Sequence, residues 1–332
     1  MRHAGRDWPL ALGLAGGVFA DALAGDPARG HPVAMFGQVM TALERRIYAD
    51  RTATGAGYAV TGVLLGAGPL LASAQLSRQN SAVRAGITGL ATWTSVASRS
   101  LGAAAEHIGA ALSSGDLTGA RELLPTLCGR DPQHLDEAQI TRAVVESVAE
   151  NTSDAVVAPL IWGGLAGPTG VTGYRAVNTM DAMVGHHSDR YERFGKASAR
   201  LDDVANWLPA RVTALLAAAC SPAVGGRPDT TWQTAREYGP RHPSPNAGWS
   251  EAAFAGALGV QLGGTLSYAG RVEHRPEIGA GRAPRATDIS RAIRLSRAVA
   301  VSAAVLATAI ALAAGPGRSR ACQAGEHGRL IA

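Results

Sequence analysis

Residues 52–77, TATGAGYAVTGVLLGAGPLLASAQLS, decide the fold class, because 26 positions pass without a charged side chain. A helix needs about 20 mostly apolar residues to cross the hydrocarbon core of a bilayer. The stretch is therefore read as a membrane span. Toward the C-terminus, residues 298–317 repeat the signal with 20 uncharged positions. Toward the N-terminus, residues 8–25 form a third run with Asp21 inside it, and the two arginines before it mark a first anchor rather than a cleaved leader. Residues 155–174, 208–226 and 252–270 are further expected spans, rich in small residues and broken by Pro159, Pro168 and Pro222; residues 85–98 are a shorter candidate. Gly and Pro are tolerated at membrane depth where neighbouring helices resatisfy the backbone. The expectation is an all-α, polytopic helical membrane protein of four to six spans. It forms one membrane-embedded domain over residues 1–317, followed by a polar tail at 318–332. Gly259-Val-Gln-Leu-Gly263 has the small-xxx-small spacing of close helix packing in lipid.

Composition agrees with a second, apolar solvent. Of 332 residues, 46% are hydrophobic and only 17% charged, against about 25% in soluble domains. Long Arg-rich loops bring the mean hydropathy down to +0.04. Lys196 is the only lysine among 31 Lys and Arg residues. The net charge of +5 suits cytoplasmic loops facing anionic lipid in a cell membrane. The arginines are spread along the chain and form no block with interleaved aromatics, so no nucleic-acid partner is expected. Cys128, Cys220 and Cys322 lie far apart, which indicates neither a zinc ribbon nor a disulfide framework.

The chemistry-bearing residues concentrate between the spans. Arg142, Glu146, Glu150 and Asp154 recur every fourth position and drift slowly around one helical face. Two readings fit: a solvated face with an Arg142–Glu146 pair, or oxygen ligands for Mg²⁺ at a membrane boundary. An internal echo follows. Ala149–Val157 and Ala176–Val184 share the pattern A-x-N-T-x-D-A-x-V at an offset of 27 residues. In each copy Asn and Asp stand three apart on one face, so two adjacent helices could enclose a charged ligand and its metal. Glu146, Glu150, Asp154 and Asp181 are thus the candidate catalytic and Mg²⁺-holding groups. In residues 190–211, Arg200, Asp202, Asp203 and Asn206 stand at helical spacing, and an Arg fork suits phosphate or carboxylate. Arg241-His-Pro-Ser-Pro-Asn-Ala-Gly-Trp-Ser-Glu251 makes a rigid turn presenting His242 and Asn246, and Gly25-Asp-Pro27 with His31-Pro32 makes another after the first span. Each turn also reads as a plain connector. There is no Walker A, no GxGxxG, no HExxH and no nucleophile elbow.

These stretches, taken together and in this order, resemble the adenosylcobinamide-phosphate synthase (CobD/CbiB) family of cobalamin biosynthesis. AVVESVAENTSDAVVAPL at 143–160 is the most specific piece. YRAVNTMDAMVGHH at 174–187, RYERFGKASARLDDVANWLPAR at 190–211 and HPSPNAGWSEAAFAGALGVQLGG at 242–264 follow, with GDP and HPV near the N-terminus. The resemblance covers about residues 15–280. Ala155, Ala182 and the His186-His187 pair depart from the family's pattern, and none of these changes removes a charged group.

The resemblance implies an ATP- and Mg²⁺-dependent ligase with no tightly bound cofactor. Such an enzyme joins aminopropanol, as its O-phosphate, through an amide bond to a propionate of adenosylcobyric acid. It implies corrinoid, aminopropanol phosphate, membrane lipid and other membrane enzymes of the pathway as partners. Asn151, Arg175, Asn178, Arg200, Asp202, Asp203, Asn206, His242, Asn246, Asp26 and His31 are the expected substrate-binding residues. Without a covalent acyl carrier in view, the amine is expected to attack an activated propionate directly, through an acyl phosphate. Two other classes remain open at this point: a membrane prenyl- or alcohol-phosphotransferase using the paired N-x-x-D motifs, and a non-catalytic scaffold of a biosynthetic complex. The first lacks a second Asp four residues on, where Ala158 and Gly185 stand.

Overall fold

A computed structural model describes residues 7–27, 30–77, 80–129, 131–268 and 271–313. The polar tail expected at 318–332 lies outside the described residues, as does Cys322. The chain forms a bundle of helices: α1 (Trp8–Ala24), α2 (Pro32–Ile47), α3 (Thr52–Ser77), α4 (Ser81–Trp93), α5 (Ser98–Ser113), α6 (Leu117–Leu123), α7 (Glu137–Thr152), α8 (Ala158–Met180), α9 (Lys196–Cys220), α10 (Pro228–Tyr238), α11 (Ala247–Leu258) and α12 (Ala286–Ala313). A two-stranded antiparallel hairpin, β1 (Leu262–Tyr268) and β2 (Arg271–Ile278), interrupts the helical series. Among the described residues, four helical segments are long and apolar enough to cross a membrane: Thr52–Leu71, Glu137–Gly185, Lys196–Val224 and Ala286–Ala313. α1 is apolar but shorter. Leu12, Phe19, Val60, Leu64, Leu165, Leu215, Val301 and Val305 stand exposed along these helices, as lipid-facing side chains would. The chain is a helical membrane protein.

Side chains at the helix ends explain the boundaries. Asp7 caps α1 by accepting from Leu10 N at 3.2 Å, and Gly25 ends it at φ 67°. Asp136 and Gln139 form a reciprocal capping box at the start of α7. α1 lies tight on α4. A Cβ at Gly13 would stand 2.4 Å from Thr88 Cβ, and one at Gly17 would stand 2.5 Å from Thr92 Cβ. Small residues one turn apart let the two backbones approach. The same device seats α3 over residues 176–194: a Cβ at Gly55 would meet Phe194 O at 1.8 Å, and one at Gly66 would meet Ala176 Cβ at 2.5 Å. α12 runs through the bundle against α1, α5, α7, α8 and α9. Its start is held by Asp288, which accepts from Arg282 and Arg291, each at 2.7 Å.

Two expectations are corrected. Residues 252–270 are not a span. α11 stops at Leu258, Gly259 turns left-handed at φ 68°, and the chain enters the β1–β2 hairpin. The Gly259–Gly263 spacing is therefore not a helix-packing motif. Gly263 sits in β1 at φ 77°, against the Pro276 backbone. Residues 155–174 are not one straight span either. Gly167 leaves helical geometry at φ 66°, ψ −156°, and Pro168 follows. Residues twenty apart in a straight helix lie about 30 Å apart. Here the Tyr174 hydroxyl oxygen stands 3.0 Å from Asp154 O. Glu137–Gly185 is thus a helical segment folded back on itself, with its turn at Gly167.

Candidate active site

Folding back at Gly167 brings the two copies of the A-x-N-T-x-D-A-x-V echo together. In each copy the α-helix widens into a single π-helical turn at the aspartate: Ser153–Val157 in the first and Asp181–Gly185 in the second. Such turns insert one residue into the helical ladder and recur at functional sites. The charges of Asp202, Glu150, Asp181 and Arg175 all act on Asp154. Those of Asp202, Asp203 and Glu150 act on Asp181. Four carboxylates, one from α7, two from the π-turns and one from α9, therefore gather at one cleft, with Arg175 acting on Asp154. Asp154, Asp181 and Asp202 are half-buried, and Glu150 is exposed at the rim.

Amides and a tyrosine orient this group. Asn206, buried on α9, donates to Asp202 Oδ2 at 2.9 Å and accepts from the Tyr174 hydroxyl at 2.8 Å. Asn178 Nδ2 stands 3.3 Å from Asp202 Oδ1, and Arg175 Nη1 stands 3.4 Å from Asn178 Oδ1. Both oxygens of Asp202 are thus engaged. Among the described residues, neither Asp154 nor Asp181 has a hydrogen-bond donor on its carboxylate. Asn151 is tied into its own helix through Ser147 O at 2.9 Å. Asp26 accepts from Ser100 Oγ at 2.5 Å, lies 3.7 Å from His31 Nε2, and its charge acts on Arg175. The turn after α1 is therefore part of the same end of the molecule. A cavity of about 190 Å³ opens beside Arg175, bounded by Phe36, Leu65, Thr94, Thr172 and Thr179.

Several expected residues stand apart from this cleft. Glu146 is buried on α7 and accepts from Gly263 N at 2.6 Å, which joins the hairpin to the bundle. His242 is buried under its own turn, with Nδ1 accepting from Ser244 N at 3.0 Å and Nε2 lying 3.9 Å from Glu251. Asn246 acts on the site from behind, donating to Asp203 O at 2.8 Å while accepting from Arg211 Nη1 at 3.0 Å. Arg200 lines a separate polar basin next to Asp203, together with Lys196 and His186. The loop carrying His186 and His187 is pinned to α2, where Arg190 and Tyr191 both donate to Glu44 Oε1, at 2.8 and 3.0 Å. Burial pushes the Tyr191 phenol above its ordinary value. Tyr174 was not singled out from the sequence. Its one visible signal is a phenol placed directly before Arg175 in the second motif.

The donor chemistry fits a hard divalent cation. The clustered side chains Glu150, Asp154, Asp181 and Asp202 offer oxygen ligands, the kind a hard divalent cation takes. Among the described residues no three His, Cys, Asp or Glu side chains converge as a ready metal cage. Mg²⁺ keeps water and substrate phosphate among its ligands and takes only one or two carboxylates.

Comparison with known proteins places the chain. The family model described as CobD/Cbib protein matches residues 14–296. The cobalamin biosynthesis protein CobD of Mycobacterium tuberculosis (strain ATCC 25618 / H37Rv) is 47% identical over 283 residues, 85% of this chain and 90% of the relative. That of Rhodobacter capsulatus is 47% identical over 208 residues, covering 62% and 65% of the two chains. That of Geobacter metallireducens (strain ATCC 53774 / DSM 7210 / GS-15) is 41% identical over 267 residues, covering 79% and 84%. No solved structure matches the chain. On the family match and these identities, the chain belongs to the CobD/Cbib protein family.

Proposed function

We propose that this membrane protein serves cobalamin biosynthesis as a ligase, forming the amide between a propionate of adenosylcobyric acid and the amine of aminopropanol O-phosphate. The observation that carries the reading is the clustering of Glu150, Asp181 and Asp202 with Asp154, which Arg175 also faces, built from both copies of one motif. A carboxylate is a poor acyl donor near neutral pH, because its charge repels a nucleophile and its oxygen leaves badly. ATP with Mg²⁺ would supply the activation when bound, and one or two of Glu150, Asp154 and Asp181 would hold the metal beside water and phosphate.

The chain's own groups do the rest. Arg175 faces the incoming anion and offsets charge as it gathers on the substrate carboxyl. Asn178 and Asn206 fix Asp202 through both of its oxygens. The amine must shed a proton before it can attack, and whichever of Asp154 and Asp181 does not hold the metal is positioned to accept it. A corrinoid far exceeds cavities of this size, so its propionate arm alone enters the cleft while the ring stays outside. Direct attack of the amine on the activated propionate needs no covalent acyl carrier on the protein.

The test uses the purified full chain in detergent with adenosylcobyric acid, aminopropanol O-phosphate, ATP and Mg²⁺. One ATP should be consumed for each amide formed, and ¹⁸O from the labelled propionate should appear in inorganic phosphate if an acyl phosphate forms. Label in AMP would replace that intermediate with an adenylate. Amide formed without ATP consumption would remove the ligase reading, and a phosphotransferase would then lead.

A further inference from the structure

Beside the carboxylate cleft lies a second cavity of about 480 Å³, lined by Gly185, His186, Lys196, Arg200, Asp203 and the Pro243–Pro245 turn, among others. Its volume falls in the range of about 300–1,000 Å³ usual for small-molecule sites. Asp203 lines it and also acts on Asp181, so the basin and the cleft share a wall. Lys196 and Arg200 stand one turn apart at the start of α9 and face the basin together. Among the described residues neither cation has a salt-bridge partner. Two carboxylates also line the basin: Glu192, 3.0 Å from His187 Nδ1, and Asp203, on which the Arg200 charge acts without a contact short enough for an ion pair. Like charges one turn apart on a helix repel. The fold nevertheless holds two of them, including the chain's one lysine, over a cavity with polar walls. Such a pair is relieved by an anion, and a compact anion with several oxygens can take both the lysine's point charge and the arginine's fork.

We propose that this basin is a phosphate-binding subsite in which Lys196 and Arg200 together hold a phosphate ester or polyphosphate, while the adjoining carboxylates hold its cation and the reacting groups. The inference rests on the ligase reading for its ligands, which are the triphosphate of ATP or the phosphate of aminopropanol O-phosphate. It divides the site into a cationic half at the start of α9 and an anionic half at the two π-turns. Phosphate is thereby oriented from one side and the carboxyl from the other.

The test measures binding without the corrinoid, so it does not depend on amide formation. Equilibrium dialysis is run on detergent-purified full chain with radiolabelled ATP, with and without Mg²⁺, and separately with labelled aminopropanol O-phosphate. Unphosphorylated aminopropanol and adenosine serve as controls. Lys196→Met and Arg200→Met should each weaken one phosphate ligand by about tenfold or more, the expected effect of removing a charge-assisted contact. They should leave both control ligands and the melting temperature unchanged. Lys196→Arg should recover most of the loss. Weakening of ATP alone assigns the basin to the nucleotide, and weakening of the amine phosphate alone assigns it to that ester; both outcomes support the subsite. Unchanged binding of both phosphate ligands in the double variant would overturn it, as would a wild-type chain that binds neither. If the phosphate dependence holds while no amide forms, the subsite stands and the ligase reading falls.

Discussion

The two copies of A-x-N-T-x-D-A-x-V share a pattern and a π-helical turn, yet their surroundings differ. The first copy, Ala149–Val157, continues into a buried run and is fixed from outside, with the Thr152 hydroxyl reaching Ser296 on α12 at 2.7 Å. The second, Ala176–Val184, lies under α3, and its Thr179 bonds only to Arg175 O in its own helix at 2.7 Å. Asp154 faces Asp202 and Arg175, whereas Asp181 faces Asp202 and Asp203 at the side of the polar basin. Local sequence thus sets the π-turn, and the packing around it sets the role. The first copy anchors the cleft to the bundle core, and the second closes it toward the polar basin at the start of α9.

Substitutions can break this comparison in order of expected effect. Asp154→Asn and Asp181→Asn keep shape and remove charge. Each should leave membrane levels normal while lowering amide formation by at least about tenfold, roughly 1.4 kcal/mol of barrier. Wild-type rates in both would reduce the cluster to a polar face. Gly167→Ala attacks the turn that brings the copies together. A Cβ there would meet only Leu10 Cδ1, at 3.8 Å, so space is not the obstacle. The backbone is: φ 66° with ψ −156° is accessible essentially to glycine alone. A cost of about 1–3 kcal/mol is expected, read as a lower melting temperature with a parallel fall in activity. An unchanged melting curve would mean that the turn tolerates a side chain and does not set the geometry.

Two smaller changes sharpen the contrast between site and scaffold. Glu146→Gln weakens the contact to Gly263 N that ties β1 to α7, at an expected cost of about 1–3 kcal/mol. Activity per folded molecule should fall less than in Asp154→Asn. A loss of activity as large, with stability intact, would return Glu146 to the reacting groups. Tyr174→Phe removes the hydroxyl that spans Asp154 O and Asn206. It should cost about 1 kcal/mol and a few-fold in rate, measured by thermal unfolding and steady-state turnover.

Much of this was legible in the sequence, and the failures have physical reasons. Charge-free length marked Thr52–Ser77 and the apolar part of α12, because a bilayer imposes a minimum on both. Carboxylates and amides at helical spacing marked Asp154, Asp181, Asp202 and Asn206, which the fold brings near one another, with Asn206 donating to Asp202. The stripe that added Glu146 to them was drawn for a straight α-helix. A buried α7 faces partners on all sides, so Glu146 met the hairpin while Glu150 reached the rim. Residues 252–270 misled for a related reason: an uncharged Gly-rich run satisfies a hydropathy rule equally as a helix or as a hairpin. Only the left-handed geometry at Gly259 and Gly263 distinguishes them. The reversal at Gly167-Pro168 was visible as a breaker, but its angle depends on tertiary contacts such as Tyr174 with Asp154.

The central claim is that both copies of the motif serve one site. A double-mutant cycle on Asp154→Asn and Asp181→Asn, read as kcat/KM for ATP-dependent amide formation, tests it most directly. Groups acting as one unit are strongly non-additive. The account predicts that the double variant is about as impaired as the worse single variant. Losses that simply multiply would show two independent sites and contradict it.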